Sequence, residues 1–247
     1  MLSAYLAALR QLADPPIRRV IWRVAAWTAA VYLALGFALW TLIAGFDPGA
    51  AFAFVTIAWI NAVLVWILGF VVGILGVFVF FAVFWILFVA IVQFISGFYL
   101  EDVATAVEAR HFAGLPPTSP PPVGDTIFAA LRFFAMLVGL NLLALPFYLI
   151  PLFGLVVFYV VNGYLLGREY FDMVAMRRLD PASARALRRG ERGQVFAAGL
   201  IATIMLSIPV LNLIAPIVAT AAMVHLFEAM PGRRAVIHAV YSTGHQE

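Results

Sequence analysis

The sequence predicts an all-α integral membrane protein, with two long transmembrane helices plus two partly penetrating (re-entrant) helical hairpins and with interfacial and cytoplasmic amphipathic helices. Three observations carry that expectation. Apolar residues make up 65% of the 247 and charged ones only 11%, with a mean hydropathy of +1.05; a soluble domain carries about a quarter charged residues. Arginines gather in two clusters beside apolar segments, and prolines cut the later apolar runs into short arms. Lipid is therefore the solvent, and the absence of a long polar linker makes 1–247 a single membrane-embedded domain.

Met1 to Asp14 carries apolar residues at Leu2, Tyr5, Leu6, Leu9 and Leu12, the spacing of a short amphipathic helix lying in the interface. Arg10 comes late and no cleavage pattern is present, so a signal peptide is not expected. Val24 to Ala44 is uncharged and long enough to cross a core of ~30 Å. Gly45-Phe46-Asp47-Pro48-Gly49 reads as a turn. From Pro48 to Leu100 there is no charge, and as one straight helix that stretch would reach ~80 Å.

Two readings compete there: two passes turning near Gly69, Gly73 and Gly76, or one long tilted pass behind an interfacial segment. The arginines arbitrate. Arg10, Arg18, Arg19 and Arg23 precede the first span; Arg168, Arg177, Arg178, Arg185, Arg188, Arg189 and Arg192 precede the last apolar region. Positive residues favour the cytoplasmic side, so an even number of crossings must separate the clusters. One long helix over Ala58 to Tyr99, with Ala50 to Ile57 near the interface, satisfies this.

Beyond it, Leu100 to Arg110 emerges into water, and residues 113–125 form a proline-rich linker too stiff for helix. Thr126 to Pro146 is apolar but is broken at Pro146 and at Pro151-Leu152-Phe153-Gly154, before a second run to Gly167. Val195 to Ile208 is shorter still, interrupted by Pro209, Asn212 and Pro216 before Ile217 to Val224. Arms this short suit hairpins that leave on the side they entered. Their tips echo each other, which points to Pro146, Pro151, Pro209, Asn212 and Pro216 as a permeation region or as plain apolar turns. A tail, 231–247, closes the chain.

The composition excludes much else. Without cysteine there is no disulfide, thiol chemistry or cysteine-held metal. All 15 basic residues are arginine. They flank apolar segments, so a pI near 9.5 indicates headgroups and not nucleic acid. No enzymatic motif is present, no cofactor is implied, and His225 with Glu228 lacks a third metal ligand. Asn61, Gln93, Asn141 and Asn162 lie in apolar runs, where they act as helix–helix glue.

The segment Gly167-Arg168-Glu169-Tyr170-Phe171-Asp172, the arginines of Ala184-Arg185-Ala186-Leu187-Arg188-Arg189, and Ser207-Ile208-Pro209-Val210-Leu211-Asn212-Leu213-Ile214-Ala215-Pro216 together resemble the C-terminal signature of CysZ-like sulfate permeases. That family also covers the etoposide-induced endoplasmic-reticulum proteins. Pro15-Pro16-Ile17-Arg18-Arg19-Val20 is similar to its Pro-Gly-Leu-Arg-Arg stretch, and Val103 to Pro117 matches in placement. The resemblance implies two long helices with two hairpins, a homo-oligomer in the bacterial inner membrane, and uptake of sulfate or a related oxyanion for cysteine synthesis. Both termini are then expected in the cytoplasm.

Sulfate needs forked cations and free N–H groups, which arginine and a helix start supply. Asp14-Pro15-Pro16 reads as an N-cap and first turn. The resemblance therefore names Arg18 and Arg19, with Ile17 beside them, as sulfate contacts. Pro16 stands where the family has glycine, which deletes one donor, and the Asp14 carboxylate would compete for the rest. The competing reading is that Arg18 and Arg19 anchor the helix at the headgroups. The seven later arginines form either an electropositive vestibule or a solvated, lipid-facing pair of helices balanced by Glu169, Asp172, Asp180 and Glu191.

Overall fold

The computed structural model describes residues 2–45, 57–115 and 123–233, and all regular structure among them is helical. The turn at 46–49, the interfacial stretch 50–56, most of the proline-rich linker and the tail from 234 lie outside these residues. In chain order the helices are α1 Leu2–Arg10, α2 Pro15–Ala44, α3 Ala58–Gly97, α4 Leu100–His111, α5 Val123–Tyr148, α6 Phe153–Ala175, α7 Pro181–Gly190, α8 Arg192–Leu206, the single turn α9 Pro209–Asn212, and α10 Ala215–Ala229. A 3-10 turn, Gln11–Ala13, joins α1 to α2.

Among the described residues, three helices are long and apolar enough to cross a membrane, over Pro15–Thr41, Ala58–Ala82 and Leu131–Tyr148. The first two match the long helices read from the sequence. The third lies in α5, which the sequence reading made the first arm of a hairpin. Helix α3 has 40 residues and so a length of ~60 Å, about twice the apolar core of a bilayer.

The chain divides into two compact units, Arg23–Ile95 and the remainder. Within Arg23–Ile95, large apolar side chains such as Trp27, Phe37, Trp40, Trp59, Trp66 and Phe78 point outward. That surface suits lipid, and Trp40 and Trp59, near the ends of their spans, suit an interfacial belt. Tyr32 ties α2 to α3: its ring lies 4.4 Å from that of Phe84, and its hydroxyl donates to the Phe84 carbonyl at 3.0 Å.

The other unit is built around α10. Every residue from Ala215 to Val224 is buried, the signature of a helix apolar on all sides and enclosed by protein. Helices α1, α4, α6 and α8 pack against it. Helix α1 divides its faces accordingly. Ala4, Tyr5 and Ala8 turn inward, and the Tyr5 hydroxyl donates to the Ala198 carbonyl at 2.6 Å; Leu2, Leu6 and Leu9 remain exposed. The amphipathic period was therefore legible, but Tyr5 belongs to the protein-facing side.

The tightest crossing is between α6 and α8. A Cβ added at Gly199 would collide with the Gly163 carbonyl oxygen and the Gly167 amide nitrogen, and one at Gly167 would strike the Val195 carbonyl. Small residues one turn apart let the two backbones touch. Asp180 caps α7 by accepting from the amides of Ala182 (2.8 Å) and Ser183 (3.1 Å), with Pro181 opening the helix. Hydrogen bonding, chiefly from Ser183, holds its carboxyl below the usual range.

Candidate functional site

The start of α2 is built as the sequence required, with one change. Asp14 is extended and its carbonyl accepts the Arg18 amide at 2.8 Å, closing the first turn. Pro15 and Pro16 have no N–H, so Ile17 supplies the one first-turn amide without an intrahelical acceptor. The Ile17 side chain is buried, while Arg18 and Arg19 are exposed and make no ion pair among the described residues. The Asp14 carboxylate does not compete for amides as expected: it lies 3.1 Å from the Arg110 guanidinium on α4. A charge-assisted pair is the better partner for a carboxylate where two of the nearby amides are missing.

Beside this turn an open groove of about 510 Å³ is lined by Pro16, Asp102, Thr105, Ala106, Ala109 and Arg110. Its floor belongs to a polar collar. Arg177, just past α6, donates to Thr105 at 3.1 Å and to Glu108 at 3.0 Å, and also pairs with Glu101. Arg178 donates to the same Glu108 carboxylate at 2.7 Å. Burial, and then the neighbouring Arg178, lower the Arg177 pKa from its high ordinary value; the surrounding oxygens hold it charged. Further round, Gln11 meets His225 at 2.6 Å, and Glu228 pairs with Arg233 at 2.7 Å. His225 and Glu228 thus serve α1 and the end of α10, and no group of three metal-ligating side chains occurs among the described residues.

The two hairpin tips differ in construction. Helix α5 runs through Pro146 to Tyr148 and does not break there, because a proline in the last turn removes only one backbone bond. The turn comes at Pro151 and Leu152, whose φ of 64° is left-handed, a costly conformation for leucine. Leu149 and Leu152 are more than 80% exposed, so the tip is an apolar knob. Gly154 must be glycine, since a Cβ would lie 2.9 Å from Tyr148 backbone atoms.

In the second hairpin, prolines start helices: Pro209 opens α9, and Pro216 lies in the first turn of α10. Asn212 between them is wholly buried, and neither side-chain atom has a hydrogen-bond partner among the described residues. It does not cap the backbone. Asn141 and Asn162 bond to their own helices, at Leu137 (2.9 Å) and Phe158 (2.8 Å), and to no neighbouring helix among the described residues.

The seven arginines resolve into three groups. Arg168 and Arg188 converge on Asp172 at 3.4 and 2.9 Å, and Arg177 and Arg178 share Glu108. Arg185, Arg189 and Arg192 pair with no acid among the described residues. Sequence reasoning missed Glu108 and Arg110 as members of the site; only their spacing on α4, one turn from Thr105 and two turns from Asp102, hinted at it. At the start of α2, the exposed Arg18 and Arg19 lie close in sequence to Pro16, which lines the groove with Thr105 of α4, the residue that Arg177 braces.

A family model described as sulfate transporter CysZ/etoposide-induced protein 2.4 matches residues 4–216. No curated protein matches the chain.

Proposed function

The chain belongs to the sulfate transporter CysZ/etoposide-induced protein 2.4 family, and on that premise we propose that it is a sulfate permease and not an enzyme. It lets sulfate, or a closely related oxyanion, pass down its gradient through a homo-oligomer in the bacterial inner membrane, supplying cysteine synthesis. Helices α2 and α3 make the two full crossings. The α5–α6 and α8–α10 hairpins enter from the arginine-rich, cytoplasmic side, with Pro146, Pro151, Pro209, Asn212 and Pro216 shaping their inner ends.

One observation carries the anion reading: Arg110 neutralises Asp14, which leaves Arg18 and Arg19 as uncompensated cations beside the free Ile17 amide. A tetrahedral dianion would take two forked donors and one N–H there. The test is labelled-sulfate flux into liposomes holding the purified protein. Flux should exceed that of empty liposomes and fall about tenfold or more in Arg18→Ala/Arg19→Ala, since each charged hydrogen bond is worth ~1.5–3 kcal/mol. No flux above empty liposomes would sink the permease; unaltered flux in the double variant would sink the site.

The loss of amide donors at Pro15 and Pro16 favours a second reading, a non-transporting membrane scaffold of the same family. It predicts stable partner co-purification and no anion conductance.

A further inference from the structure

Of the four acids near the late arginine segment, three are committed elsewhere, and Glu169 pairs with none of its arginines among the described residues. Asp172 takes Arg168 and Arg188, Asp180 caps α7, and Glu191 accepts from the Gln194 side chain at 2.8 Å. Helix α7 turns Ala184 and Leu187 inward and Arg188 toward Asp172. This leaves Arg185 half-exposed and Arg189 exposed, one turn apart on the same face, with exposed Arg192 opening α8. None of the three has an acidic partner among the described residues, so the expected balance of charge is not made along this ridge.

The helix that continues from the ridge identifies its partner. Three residues past Arg192, α8 becomes an uncharged helix from Val195 to Leu206, apolar except for Thr203, whose hydroxyl donates to the Gly199 carbonyl. A helix that changes from arginine to apolar within one turn sets those cations at the depth where hydrocarbon meets headgroups. Exposed arginines at that depth gain from a negatively charged leaflet, by roughly a factor of five each. An acidic soluble partner would not need the apolar continuation.

We propose that Arg185, Arg189 and Arg192 form a binding ridge for the phosphate headgroups of anionic phospholipids, which sets the depth of the second hairpin. Arginine's fork can hold two oxygens of one phosphate. The proposal is independent of sulfate transport and uses neither Arg18 nor Arg19.

The full-length protein is exposed in detergent to equimolar phosphatidylglycerol and phosphatidylcholine, repurified, and its retained lipids are quantified by mass spectrometry. Wild type should retain an excess of phosphatidylglycerol that drops about tenfold in Arg185→Gln/Arg189→Gln/Arg192→Gln. The corresponding triple Lys variant should keep it within about twofold, because a headgroup surface reads charge. An unchanged excess in the Gln variant would overturn the proposal, as would a Lys variant as lipid-poor as the Gln one. Displacement of the lipid by inorganic phosphate, but not by chloride of equal ionic strength, would instead assign the ridge to a dissolved oxyanion and overturn it too.

Discussion

Asp14 shows how a single side chain changes the meaning of its neighbours. In sequence it is an acid four residues before Arg18, and its carboxylate opposes anion binding. In the fold Arg110 reaches it from α4 at 3.1 Å, and the local charge at the start of α2 becomes positive. The pair is partly exposed, with Arg110 more than half in solvent, so its stabilising value is small, ~0–1 kcal/mol. Its effect on the site is larger than its effect on the fold. Arg110→Ala should therefore leave thermal stability nearly unchanged but lower sulfate flux about two- to fivefold, because an unpaired carboxylate then faces Arg18. Adding Asp14→Asn should restore the flux. Failure of that rescue in the liposome assay would show that Arg110 acts otherwise. Asn212 is the contrasting residue: buried, polar and unpartnered among the described residues, an arrangement that costs stability unless something polar visits it.

At the scale of elements, the α6–α8 crossing determines whether the two hairpins can meet. Helix α8, with 15 residues, is marginal alone, and the longer α6 is its main wall. Gly163, Gly167 and Gly199 bring the backbones into contact, where dispersion rather than the hydrophobic effect drives association in lipid. One added methyl group cannot be absorbed, since the atoms it meets are backbone. Gly199→Ala should lower stability by at least ~2 kcal/mol, read as earlier thermal unfolding in detergent. Gly139 on α5, where a Cβ meets nothing within 4 Å, is the matched control and should tolerate alanine. Helix α10 depends on the same crossing, because α6 and α8 are two of the walls around it.

For the whole molecule the question is how many times the chain crosses. Three helices among the described residues meet the length and hydropathy for a span, whereas the proposed arrangement uses two. The difference lies in α5, and the chain's lack of cysteine makes it directly testable. A single Leu152→Cys at the first hairpin tip should resist a membrane-impermeant maleimide from both faces if the tip stops inside the bilayer. Single cysteines at Arg10 and Arg189 should label from one common face. Labelling of Leu152→Cys from the opposite face would make α5 a true third crossing, returned by α6. The arginine ridge belongs to this scale as well, since it locates the second hairpin against one leaflet.

The sequence by itself determined that this is a helical membrane protein, where its long helices run, and that its cations collect beside apolar segments. Those properties follow from composition, periodicity and helix length, which are local. It also carried the family, through short motifs around Arg18 and Asn212. What only the tertiary structure decided is which charges remain free. Seven clustered arginines look alike along the chain, yet four are paired with Asp172 or Glu108, and Arg185, Arg189 and Arg192 are left on the surface. Glu108 lies 69 residues before Arg177, and no periodicity reports such a partner. Proline was misleading for a related reason: Pro146 sits where a helix was about to end, and Pro216 where one was about to begin. Pairing across the fold depends on three-dimensional proximity, and that is set by α10 and the helices that enclose it.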